Sequence, residues 1–317
     1  MKPTYLTVFL FLYFSVALAQ NNIQHKIIVA ADGSGDYTTI QKAIDATKSF
    51  PPERITIFIK NGVYKEKVKV PSWNTKLSLH GEDVEKTIIA WDDHFTKINR
   101  GRNSTFFTST LKVEADDFYA ENLTVENSAG PVGQAVAIHV EGNRCHFKNC
   151  IFKGNQDTAY LDGENSYQLF EDCTITGTTD FIFGSATVVF KDCTLISKRN
   201  SFITAASTTN GKEYGFVFFN CKLEAEEGIS EVYLGRPWRP YAKTVFIGCE
   251  MGTHIYPKGW QVWSNKENPT TTFYAEYGNT GPGANTDQRV EWAHNLEPEE
   301  VEKYSIINIL GEWTNIE

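Results

Sequence analysis

Beyond its first nineteen residues the chain has no apolar run long enough to cross a bilayer, so a membrane-spanning protein is not expected. Basic stretches are also missing. Thirty Lys and Arg stand against 39 Asp and Glu, a formal net charge of −9, and no Arg- or Lys-rich helix with interleaved aromatics occurs. Nucleic acid is therefore not an expected partner. An acidic polymer is not excluded by net charge, because local fields decide such contacts. No CxxC or HxxxH spacing is present, which sets a zinc site aside. There is no GxSxG elbow for a nucleophilic serine, and the seven His fall in no catalytic pattern.

What is present is globular: 41% hydrophobic and 22% charged residues over 317 positions. Residues 1–19 read as a secretory signal, with Lys2, the apolar "YLTVFLFLYFSV", a small-x-small "ALA" and polar "QNNIQHK" after it. The expectation is a secreted, extracellular protein with one domain over residues 20–317. Sequons at Asn103 and Asn122 would carry glycan only if exposed in a eukaryotic secretory route.

Five of six cysteines share one local pattern: "FKNCIF" (Cys150), "FEDCTI" (Cys173), "FKDCTL" (Cys193), "FFNCKL" (Cys221) and "FIGCEM" (Cys249). "YAENLTV" continues the register, with Asn122 read in the cysteine position. Repeats of 20–28 residues mark a solenoid. The segments between them, such as "AVAIHV" and "ATVVFKDCTLIS", are rich in Val, Ile, Phe and Thr, which are strand residues. This pattern predicts an all-β fold, a right-handed parallel β-helix with coils about 4.8 Å apart. "TTIQKAIDATKSF" and "EPEEVEKYSIINIL" are the expected helical caps, and a capped solenoid is expected to be a monomer. Neighbouring cysteines in such a stack either pair or stay as a column of small core residues.

The repeat also aligns two acids. Asp157, in "GNQDTAY", and Asp180, in "GTTDFIFG", each follow their cysteine by seven residues, which puts them at equivalent places on consecutive coils. Like charges roughly 5 Å apart repel, so one must take a proton or find a cation. That leaves one carboxyl able to donate and the other able to attack. Gln156 stands beside Asp157, and Gln134, 22 residues earlier, comes from the coil before. Their amides suit a developing oxyanion. Arg236, in "YLGRPWRPY", is the candidate for holding one acid ionised. Ordinary turn aspartates and a surface arginine are the plainer alternative.

Together "GVYKE", "GQAVAIHV", "GNQDTAY", "GTTDFIFG" and "LGRPW" resemble the signature motifs of pectin methylesterases, in order, with "TFFTST", "YPKGW" and "FYAEYGNTGPGA" in support. The resemblance runs from Ile27 to Trp313. It implies a parallel β-helix with an open cleft, acting on methyl-esterified homogalacturonan to give methanol and free carboxylates without a metal or cofactor. By the same resemblance Asp180 is the nucleophile and Asp157 the general acid and then base. Gln134 and Gln156 are oxyanion amides, and Arg236 orients the nucleophile. Trp238, Tyr160 and Phe183 fall where the family packs sugar rings, and ordinary wall packing is the alternative for each. A disulfide maps best onto Cys193 with Cys221, and a proteinaceous inhibitor is a candidate partner.

Three departures stand out. No inhibitor-like helical region precedes the motifs, so built-in inhibition is not expected. Ala159 replaces a common Leu, and Gly-Asn replaces an aromatic before Gln156. Rival readings are a pectate lyase, a polygalacturonase, an esterase of the same family on another ester, and a silent wall-binding solenoid. The lyase needs a calcium cluster, whereas Asp92-Asp93 and Asp116-Asp117 are separated; the polygalacturonase needs a "GHG" that is missing.

Overall fold

The computed structural model describes residues 26–264 and 268–315; the expected signal segment lies outside the described residues. Among them, parallel strands form three sheets of eleven, eight and seven strands, each pairing with its counterpart one coil away. The chain winds first sheet, second sheet, third sheet and back, as a right-handed parallel β-helix.

One backbone device explains the repeat. The residue before each cysteine of the pattern turns the chain from the first sheet into the second with positive φ: Asn149 46°, Asp172 54°, Asp192 55°, Asn220 53° and Gly248 65°. Only Gly, Asn and Asp take this conformation readily. Asn122 has φ 57° and so belongs to this turn column. The residue in the cysteine position is Leu123, one later than the sequence pattern suggested, because Ala120 pairs with Phe147 and Thr124 with Ile151.

Inward of the turns lies a column of rings, Phe147, Phe170, Phe190, Phe218 and Phe246, in parallel register. Their centroids are 4.3–5.3 Å apart and each neighbouring pair is stacked. Beside them the cysteines form a buried column of free thiols, which corrects the implied Cys193–Cys221 disulfide. The physical reason is orientation: the sulfurs are turned towards backbone carbonyls of the coil before and not into a bond with one another. Each Sγ faces a carbonyl instead, that of Cys193 lying 3.4 Å from Phe170 O and that of Cys221 3.5 Å from Phe190 O.

The helical segments are shorter than their periodicity suggests. Ile40–Asp45 buries Ile40, Ala43 and Ile44 at the N-terminal end. The C-terminal segment breaks into Pro298–Val301 and Ile306–Leu310, the second capped by Ser305, whose hydroxyl accepts from Asn308 N–H. Ile309 and Leu310 lie on the outer face of the first sheet, against Leu169, Val189, Val217 and Val245. That ladder is apolar on both faces and must be covered. No helix among the described residues is long and apolar enough to cross a membrane.

Candidate active site

The third sheet carries the site on its outer face. Its strands Ile138–Val140, Ala159–Leu161, Ile182–Gly184 and Phe202–Ala206 align His139, Tyr160, Phe183 and Ala205 in one outward row. Asp157 and Asp180 each stand two residues before such a strand and share left-handed backbone, φ 66° and 49°. A glycine three residues earlier makes each turn feasible. A Cβ on Gly154 would meet Thr158 Oγ1 at 2.5 Å, and one on Gly177 would meet Phe181 Cβ at 2.1 Å. Backbone bonds fix the stack: Asp157 N–H donates to Thr179 O (3.1 Å) and Asp180 N–H to Phe202 O (2.8 Å). Gln134 bridges Gln156 one coil on, in the same parallel sense.

The two buried carboxyls have different surroundings. Arg236 grips Asp180 with both tines of its guanidinium, Nε to Oδ1 at 2.9 Å and Nη2 to Oδ2 at 2.7 Å. No described side chain bonds the carboxyl of Asp157. Burial pushes Asp157 well above the usual carboxylate range, the charge of Asp180 pushes the same way, and Arg236 only partly opposes this. Burial also raises Asp180, but there the hydrogen bonds and charge of Arg236 pull back. The first proton taken up by the pair therefore goes to Asp157.

These groups open onto a cavity of about 220 Å³ lined by Gln134, Gln156, Asp157, Asp180, Phe183, Arg236 and Trp238. The side-chain amides of Gln134 and Gln156 make no hydrogen bond among the described residues. Tyr160 does not line the cavity. It is buried one coil away, stacked on Phe183 at 4.6 Å, with its hydroxyl bonded to Asp162. Phe106 and Trp263 also line the cavity and were not singled out from sequence. Phe106 had a signal, since it lies in "TFFTST"; Trp263 had only its place shortly after "YPKGW". Elsewhere Asp93 is paired by Lys67 (2.8 Å) and Lys97 (3.1 Å), Asp92 by Lys97 (2.7 Å) and Asp117 by Arg144 (2.6 Å), while Asp116 accepts from Asn143 N–H (2.9 Å).

The pectinesterase family matches residues 26–312, nearly the whole chain. The chain belongs to the pectinesterase family. Among relatives, a Brassica napus protein named "Probable pectinesterase/pectinesterase inhibitor" is 38% identical over 298 residues, 89% of this chain and 50% of that protein. The chain thus spans about half the length of the first relatives it matches. Arabidopsis thaliana "Pectinesterase 31" is 38% identical over 280 residues and is covered to 88% of its length, with 86% of this chain aligned. The solved pectin methylesterase from carrot superposes with a TM-score of 0.84 at 33% identity, covering 90% of this chain and 93% of that one. A pectin methylesterase solved with a hexasaccharide superposes with a TM-score of 0.80 at 29% identity, over 92% of this chain and 98% of that one.

Proposed function

We propose that this pectinesterase-family chain hydrolyses the C6 methyl esters of homogalacturonan outside the cell, with Asp180 as nucleophile and Asp157 as general acid and base. The observation that carries the reading is the asymmetric acid pair: one buried carboxylate gripped by Arg236, the other with no side-chain partner among the described residues, beside two amides that are also unbonded there.

Each Asp180 oxygen accepts one bond from Arg236 and keeps a second lone pair. That lone pair attacks the ester carbonyl carbon. Charge develops on the carbonyl oxygen, where the Gln134 and Gln156 amides donate to it. The tetrahedral intermediate collapses, the C–OCH₃ bond breaks, and the proton on Asp157 passes to departing methanol. An acyl anhydride on Asp180 remains. Asp157, now anionic, takes a proton from water, and the resulting hydroxide attacks the anhydride carbonyl. Asp180 leaves as carboxylate, the galacturonate carboxyl is released, and Asp157 is protonated again.

Phe183 and Trp238 offer apolar faces of the cavity to the sugar rings, while Tyr160 stacks on Phe183 from the neighbouring coil. The test is methanol release from highly methylated pectin, with viscosity and the ultraviolet absorbance of unsaturated ends followed together. Methanol without chain cutting supports the reading. Cleavage of the chain, or no methanol, overturns it.

A further inference from the structure

The Arg236 guanidinium lies between two aromatic faces. Its central carbon is 4.1 Å from the ring centroid of Phe202 and 3.8 Å from that of Trp263. The rings arrive from different parts of the chain. Phe202 opens the third-sheet strand Phe202–Ala206, and Trp263 lies between the strands Glu250–Met251 and Phe273–Tyr277 and forms part of the cavity wall. We infer that Phe202 and Trp263 are positioning residues, a clamp that holds the Arg236 fork in the plane from which it engages both oxygens of Asp180. This rests on the proposed reading of Asp180 as nucleophile.

An arginine side chain has several rotatable bonds, and its planar cation is weakly hydrated and stacks on rings. Without the rings, the fork would spend part of its time turned away from Asp180. With both faces covered, only the edges of the guanidinium remain to bond, and the edge bearing Nε and Nη2 meets Asp180. Phe202 is itself fixed. Its ring stacks on Tyr233 at 5.1 Å and 23°, and its carbonyl accepts the Asp180 N–H. One residue thus holds the backbone of the acid and the face of its cation.

Phe202 does not line the cavity, so its loss removes no direct substrate contact from it. That separates positioning from binding. The experiment compares kcat and KM across pH for wild type, Phe202→Leu and Phe202→Tyr, using methanol release from methylated pectin. The expected result for Phe202→Leu is a kcat lower by about fivefold to tenfold, little change in KM, and an acidic limb of the pH profile moved to higher pH. Phe202→Tyr keeps an aromatic face and restores the wild-type profile. A folded Phe202→Leu enzyme with an unmoved acidic limb overturns the clamp, as does a Tyr variant as impaired as the Leu one. Should Phe202→Leu fail to fold, Trp263→Phe against Trp263→Leu decides by the same limb: it must move only in the Leu variant. A wild-type protein that releases no methanol sinks the functional reading instead, a separate outcome.

Discussion

Asp157 and Asp180 sit in the same left-handed turn on consecutive coils, yet only Asp180 is bonded by Arg236, at 2.9 and 2.7 Å. The backbone repeats and the electrostatics do not. The chemistry proposed for this pair depends on that inequality.

The direct check is Asp180→Asn. Asn tolerates left-handed backbone, whereas Ala at φ 49° would add strain to the loss of charge. The expected variant is folded, with circular dichroism like wild type, and releases methanol roughly a thousandfold more slowly or worse. A variant within about tenfold of wild type would place the nucleophile elsewhere.

Activity should follow a bell in pH. The acidic limb is protonation of Asp180, and the alkaline limb is loss of the proton from Asp157, whose carboxyl is held well above the usual range by burial. The apparent values belong to the pair, since each charge moves the other. Arg236→Lys replaces a two-toothed grip with a point charge, so its acidic limb should move to higher pH. An unmoved limb would mean that Arg236 does not keep Asp180 ionised.

Stability carries the opposite sign at Asp157. Its carboxyl ionises near pH 4 when unfolded and at a higher pH when folded. Between these values the native state binds more protons than the unfolded one, so stability falls as pH rises through the window. Asp157→Asn removes the titration. Its melting temperature should exceed that of wild type by at least ~2 °C at neutral pH, with the gain shrinking towards pH ~4. A melting temperature equal to or below wild type at both pH values would show that burial of Asp157 carries no such penalty.

Much of this was legible because inward residues repeat. Phe and Cys recur where the first sheet turns into the second, and the turn needs Asn, Asp or Gly, so composition and geometry leave one mark per coil. At Asn122 the mark slipped by one position, because Leu123 replaces the cysteine and Ala120 the phenylalanine. The acids were legible for the same reason: Asp157 and Asp180 inherit the repeat. The aromatic sandwich on Arg236 was not, because Phe202 opens a strand without any motif to mark it and Trp263 lies outside the strands, in a segment that carries no periodicity. The C-terminal helix over the first sheet left a fainter trace. Leu169, Val189, Val217 and Val245 make the outward face of that sheet apolar as well, which asks for a cover without naming it.

The cysteine column gives the last test. All six thiols are free and buried, and those of Cys173, Cys193 and Cys221 lie 3.4–3.5 Å from core carbonyls of the coil before. A thiol reagent should therefore find no accessible group in the folded protein and six after denaturation without reductant. Reductant should leave the melting temperature unchanged, because no cross-link restricts the unfolded chain. Cys193→Ser should cost stability, since it exchanges a weakly polar thiol for a hydroxyl in a buried column built of sulfur and phenyl rings. Cys193→Ala should cost less than the about 3–5 kcal/mol of emptying a phenylalanine site, because only one sulfur's volume is lost. Four thiols instead of six after denaturation would mean that one pair had closed. Its members would then have left the carbonyls they face and turned towards each other along the helix axis.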